Sequence, residues 1–257
     1  MPLTTIWNRS PDRERLTNMK KTIFLFSFLL LALPSHAPSA QMLLGITGTS
    51  STLTPIHIQS CGYQAGASEN SVACPGLTIG AGHLLIVCVE SSSGSLSGGT
   101  LSGDSGTFTP RFSNVASGNG NQNVSTCGYI ASAGGGGTTI TFTKTGMTYA
   151  GITWDEWKNV GAFDTDAPPV VVSGGTSMAA SPITPTANGD LIVSFFNTGV
   201  GNGTITAGGS FLTGAYNTFA TGQFYYVQPT AGAITATATA SSAPYATLSY
   251  AAAFKHQ

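Results

Sequence analysis

The sequence predicts an all-β chain, an antiparallel β-sandwich with two internally similar halves, and three observations predict it. The first is a repeat. Gly82-His83-Leu84-Leu85-Ile86-Val87-Cys88-Val89 returns 107 positions later as Gly189-Asp190-Leu191-Ile192-Val193-Ser194-Phe195-Phe196. Each copy is a glycine turn feeding a near-continuous apolar run, the pattern of a strand buried on both faces or at a sandwich centre. The second is punctuation. After residue 40, short apolar segments are cut by Gly-rich turns, and no helical period appears. The third is composition. Only 7% of the 257 residues are charged, against about 25% in ordinary soluble chains. Gly, Ser, Thr and Ala take their place.

Residues 1–40 read as an upstream extension plus an export signal, with Met19 as the natural start. Lys20 and Lys21 form a positive n-region before the apolar run 23–33. Pro34 breaks the run, and Ser35 to Ala40 supply small residues for cleavage after Ala40. The run is too short for a bilayer, which needs about 20 helical residues. It therefore predicts a signal peptide and no stable membrane anchor after cleavage. The short Lys-Lys n-region is bacterial in style, and the expected location is secreted or cell surface. Beyond residue 40 only Arg111, Lys144, Lys158 and Lys255 oppose eight acids, a net charge of −4. That balance argues against a polyanion, and no basic patch offers a nucleic-acid surface.

Residues 41–74 predict an N-terminal strand and a polar loop stapled by Cys61 and Cys74. In an oxidising compartment such a pair reads as a disulfide. Residues 75–257 predict the sandwich, with halves at about 75–165 and 180–257. In the first half, strands are expected at 84–90, 107–112, 124–131, 138–143 and 149–158. The second half repeats the plan with a shrinking offset. Gly128-Tyr129-Ile130 matches Tyr225-Tyr226-Val227, and Tyr149 to Trp154 match Tyr245 to Tyr250. Two such copies suit a sandwich whose halves interleave. The comparison makes Phe195 and Phe224 the counterparts of Cys88 and Cys127. If those two Phe pack across neighbouring strands, Cys88 and Cys127 are close enough for a second disulfide.

Several motifs carry the letters of chemistry. Gly175-Thr176-Ser177-Met178-Ala179 resembles the serine motif of subtilisin-like proteases, but Pro182 and Pro185 exclude the helix that should follow. The His and Asp partners of a triad are not in context either. Asp104-Ser105-Gly106-Thr107 resembles an aspartic-protease motif, yet those enzymes need two such carboxylates, and a Gly/Asp turn is the better reading. Trp154-Asp155-Glu156-Trp157 places Trp154 and Glu156 on one face of a strand, Asp155 and Trp157 on the other. A sugar site would use an exposed Trp beside an acid, so Trp154, Glu156 and Trp157 are the candidate ligand residues. Glycoside hydrolysis needs two carboxyls across one bond, which neighbours on opposite faces do not supply. Asp164-Thr165-Asp166 reads as a solvated loop rather than a calcium site. No zinc spacing exists. No catalytic residue, metal site or cofactor is expected.

Aligned by halves, residues 75–255 resemble a class of secreted bacterial and phage β-sandwich domains. The matching pieces are 82–87, 104–108, Glu156-Trp157, 160–164, 189–193 and 251–255, although Val160-Gly161 reverses the usual Gly-Val order. The resemblance implies a jelly-roll, lectin-like sandwich and no shared catalytic residues. The expected function is a non-enzymatic protein for attachment, glycan contact or extracellular matrix. Two alternatives stand beside it. One is a filament or surface-layer subunit that self-associates through strand edges, with residues 42–59 as the added strand. The other is a glycan-active enzyme built on Glu156.

Overall fold

A computed structural model of the chain describes residues 52–117, 123–199, 203–218, 221–244 and 246–257. Residues 1–51, with the expected signal peptide and the expected start at Met19, lie outside the described residues. No helix occurs among the described residues, and all strand pairs there are antiparallel.

The first half contributes β1 (Ile56–Gln64), β2 (Glu69–Pro75), β3 (Leu84–Ser91), β4 (Thr100–Ser102), β5 (Phe108–Ala116), β6 (Val124–Ile130), β7 (Thr139–Met147) and β8 (Gly151–Lys158). They form an inner sheet, β1-β8-β3-β6-β5, and an outer sheet, β2-β7-β4. The second half contributes β9 (Val160–Asp166), β10 (Val170–Ser173), β11 (Ser177–Ala179), β12 (Asp190–Asn197), β13 (Ile205–Ala207), β14 (Leu212–Asn217), β15 (Thr221–Gln228), β16 (Thr237–Ala240) and β17 (Ala246–His256). Its inner sheet is β10-β17-β12-β15-β14, with β9 also on β17, and its outer sheet is β11-β16-β13. Adding nine to each strand number of the first half gives the strand order of the second.

Strand alternation builds three cores between these four sheets. Leu85, Val87 and Val89 of β3 face the first outer sheet and pack with Val72, Ile140 and Trp154. Leu84, Ile86 and Cys88 face the other way, onto Leu191, Val193 and Phe195 of β12. The opposite face of β12 sends Ile192 and Phe196 against Met178 and Ala238 of the second outer sheet. Every residue of β3 and β12 is buried. Their unbroken apolar runs follow, because each strand has a core on both faces. The halves therefore do not interleave in one sandwich. Each forms its own two-sheet sandwich, and the two stack through their inner sheets. Residues 56–75 belong to the first sandwich, since β1 and β2 are edge strands of its two sheets.

Both expected disulfides are present. Cys61–Cys74 ties β1 to β2 at the rim of the first sandwich. Cys88–Cys127 joins directly opposed residues of β3 and β6 and faces the middle core. The route to the second pairing needs correcting. Phe195 lies opposite Gln223, and Phe224 lies opposite Ser194. Gln223 is thus the counterpart of Cys127. Phe224 points away into the third core, against Phe196 at 5.9 Å between ring centroids. A one-residue slip sends a side chain to the other face, and the aromatic repeat 224–226 did not fix the register.

Loop-closure entropy ranks the two staples. Replacing Cys61 and Cys74 by Ser, a separation of 13 residues, should lower unfolding free energy by about 3 kcal/mol. Replacing Cys88 and Cys127, separated by 39, should cost about 4 kcal/mol. Urea titration of both double variants checks the order, and peptide mapping without reductant should find no alkylated Cys.

Candidate functional site

The segment Trp154-Asp155-Glu156-Trp157 lies in β8, between β1 and β3 of the first inner sheet. Alternation splits it as the sequence predicts: Trp154 enters the first core and Trp157 the middle core. Trp154 and Glu156 are 0% exposed and Trp157 is 1% exposed. The expectation of a sugar-binding surface at Trp154, Glu156 and Trp157 is therefore corrected. A strand flanked on both edges and covered on both faces leaves no ring for a ligand to stack on.

Each member has a structural task instead. The Trp154 indole donates to the Cys74 carbonyl at 3.0 Å. A Cβ on Gly76 would sit 2.4 Å from its ring, so the chain passes over the indole only as glycine. Glu156 gathers a loop. Its Oε1 accepts from Gly80 N at 2.7 Å and meets His83 Nδ1 at 2.6 Å, and its Oε2 accepts from Gln59 Nε2. Gln59 in turn accepts from Leu77 N at 2.7 Å. One buried carboxylate thus ties β1 and the 76–83 connection to β8. Leaving any of these donors unpaired inside the protein would cost free energy.

On the other face, Asp155 meets His57 Nε2 at 3.0 Å and accepts from Ala215 N of β14 at 3.2 Å. Burial pushes the Asp155 carboxyl up, and His57 opposes that shift. His57 also packs on Trp157 and Tyr225, at 4.7 and 5.1 Å between ring centroids. This trio has a counterpart. Strand register equates His57 with Phe163, Trp157 with Phe254 and Tyr225 with Tyr129. Phe163, Phe254 and Tyr129 likewise form a three-ring cluster, with centroids 5.1–5.8 Å apart. Both clusters bridge the two inner sheets.

A polar cluster closes one end of the middle core. Glu90 of β3 accepts from Asn197 Nδ2 at 2.6 Å, from Asn217 Nδ2 at 2.8 Å and from the Thr221 hydroxyl. Asn197 also donates to Ser125 Oγ at 3.0 Å. Register equates Glu90 with Asn197 and Ser125 with Thr221. The Glu90–Thr221 contact therefore mirrors Asn197–Ser125, the reciprocity of an isologous interface. Burial pushes the Glu90 carboxyl up to about 7, against the pull of its Thr221 and Asn217 hydrogen bonds. The sequence carried a faint signal for this pair: one polar residue at the same place in two apolar strands.

The remaining motifs are also structural. Arg111 grips Asp166 through two bonds of 2.9 Å and stacks on Phe163 at 4.0 Å. The Tyr250 hydroxyl donates to the same carboxylate at 2.7 Å. Asp164 accepts from Thr186 N and Oγ1, both at 2.7 Å. The two acids of 164–166 are thus spoken for by protein donors. Among the described residues, no three His, Cys, Asp or Glu converge as a metal site. Asp104 accepts from the backbone N of Gly106, Gly134 and Gly135, a turn as expected. Ser177 opens β11, a three-residue strand.

Two variants test these assignments. The folded state binds more protons at Glu90 than the unfolded state between pH 4.5 and about 7. Stability should therefore fall as pH rises through that window, by about 3 kcal/mol in all. Thermal melts from pH 4.5 to 8 should show that loss, and Glu90→Gln should flatten it. Glu156→Ala leaves Gly80 N, His83 and Gln59 without their buried partner and should cost about 2–3 kcal/mol in a urea titration.

Comparisons with known proteins leave this geometry to speak alone: no family model matches the chain, and no curated protein or solved structure does either.

Proposed function

We propose that the protein is an exported, non-enzymatic β-sandwich protein of the cell surface or extracellular matrix, working in attachment or glycan contact. The observation that carries this reading is the use made of its acids. Glu90, Asp155, Glu156 and Asp190 are all buried, and each bonds to a side chain or backbone group from another strand or connection. Such carboxylates hold strands together. Two disulfides suit an oxidising environment outside the cytoplasm. No helix among the described residues is long and apolar enough to cross a membrane.

The same reading covers the architecture. The order β1-β8-β3-β6 opposite β2-β7-β4, repeated in the second half, supports a jelly-roll reading, with β5 departing from it by lying beside β6 instead of β4. We take the matched register of the halves as the product of an internal duplication. Glycan contact on this scaffold falls to exposed rings, and Tyr63 and Tyr149, 48% and 44% exposed, offer them.

A glycan array on the 41–257 fragment tests the proposal. Expected is binding that drops at least tenfold in Tyr63→Ala or Tyr149→Ala, with no turnover of the bound sugar. Turnover abolished by Glu156→Gln would overturn the non-enzymatic reading.

A further inference from the structure

The edge strand β14 belongs to the second inner sheet but is held by the first half of the molecule. In its own sheet it pairs only with β15, and that ladder is broken by a register shift between Thr213 and Tyr216. At the break and beyond it, the first sandwich takes hold. Ala215 N donates to Asp155 Oδ2 at 3.2 Å, and Asn217 Nδ2 donates to Glu90 Oε1 at 2.8 Å. Just past the strand, the Thr218 hydroxyl donates to Gln64 Oε1 at 2.6 Å. Three glycines allow this close approach. A Cβ on Gly62 of β1 would overlap the Tyr216 carbonyl. One on Gly151 of β8 would sit 2.6 Å from Asn217 Nδ2, and one on Gly214 would sit 2.6 Å from Asp155 Oδ2.

We infer that β14 is a pH-operated latch, closed over Glu90 and Asp155 in mildly acidic medium and released from the first sandwich as the medium turns alkaline. The direction follows from what surrounds the two acids. They are 5% and 1% exposed, and burial disfavours a charged carboxylate unless a cation faces it. Around Glu90, β6, β8, β12 and β15 bring Ser125, Gly151, Asn197 and Thr221, all uncharged. The titratable groups there are Tyr216 of β14 and Tyr149. Around Asp155, β1 brings His57, β3 brings Ile86, and β15 brings Tyr225, stacked on His57. Among the described residues, no Lys or Arg pairs with either acid; Arg111 and Lys255 are committed to Asp166 and Asp164.

Burial accordingly pushes both carboxyls up, Glu90 to about 7. The closed latch holds protons that the released one gives up. Its stability is therefore complete below pH 4.5, the ordinary value for Glu90, and is lost as pH rises through about 7. His57 eases the ionisation of Asp155, so Glu90 sets the window. Release differs from the global loss of stability expected above. It moves one edge strand, hydrates the two acids, and leaves β3 and β12 paired within their sheets.

Native-state hydrogen exchange on the mature chain between pH 5 and 8, expressed as protection factors, tests the inference. Expected is that β14 amides open at a lower free energy than those of β3 and β12 throughout. Their protection should fall at least about tenfold across the range. Glu90→Gln, which keeps the side chain's length and an acceptor but cannot ionise, should remove that fall. Exchange of β14 only together with β3 and β12 at pH 8, protection that stays constant from pH 5 to 8, or a fall that survives Glu90→Gln would each overturn it.

Discussion

The face-to-face packing of the two inner sheets is the constraint on which the rest of the structure depends. An eight-strand sandwich needs only one apolar face on each sheet. Here the inner sheets need two, because each also packs on the other half. That demand buries β3 and β12 along their whole length, keeps them mostly apolar, and buries both Trp of β8, one on each side. It also decides where polar groups can sit. Asp155, Glu90 and Gln223 are enclosed in the same interface, and each has a hydrogen-bond partner across it.

The interface is reciprocal in its contacts and unequal in its chemistry. Both halves place a three-ring cluster between the sheets, but the first uses His57 backed by Asp155 where the second uses Phe163 beside Ala252. At the polar end, Glu90 meets Asn197, its own counterpart. Two identical carboxylates there would be forced together in a dry site; one acid and one amide instead donate and accept. The first core is likewise filled by Trp154, whereas Ala251 takes that register position in the third. A shared backbone plan thus carries different side chains in the two halves.

Much of the fold was legible because its signals are local. The glycine turns before residues 84 and 191, the period of β8 and the two Cys pairs all follow from neighbouring residues. What the sequence hid was register between distant strands. Aligning Gly128 with Tyr225 rather than Phe224 moved a ring to the wrong face, although the disulfide it suggested is there. The acid-aromatic segment 154–157 looked like a surface site because exposure is not written in one strand. Its burial depends on a second inner sheet that begins at residue 160, and on a loop that brings His83 to Glu156. Stacking of whole sandwiches leaves only the doubled apolarity of β3 and β12 as its trace, a trace equally consistent with one interleaved sandwich.

The central claim is that the middle core makes both sandwiches one cooperative unit. Native-state hydrogen exchange on the intact chain tests this most directly. The account predicts that amides of β3 and β12 exchange together, at the slowest rate in the molecule and with the free energy of global unfolding. Exchange of β12 at a distinctly lower free energy, while β3 stays protected, would mean that the halves unfold independently and would contradict it.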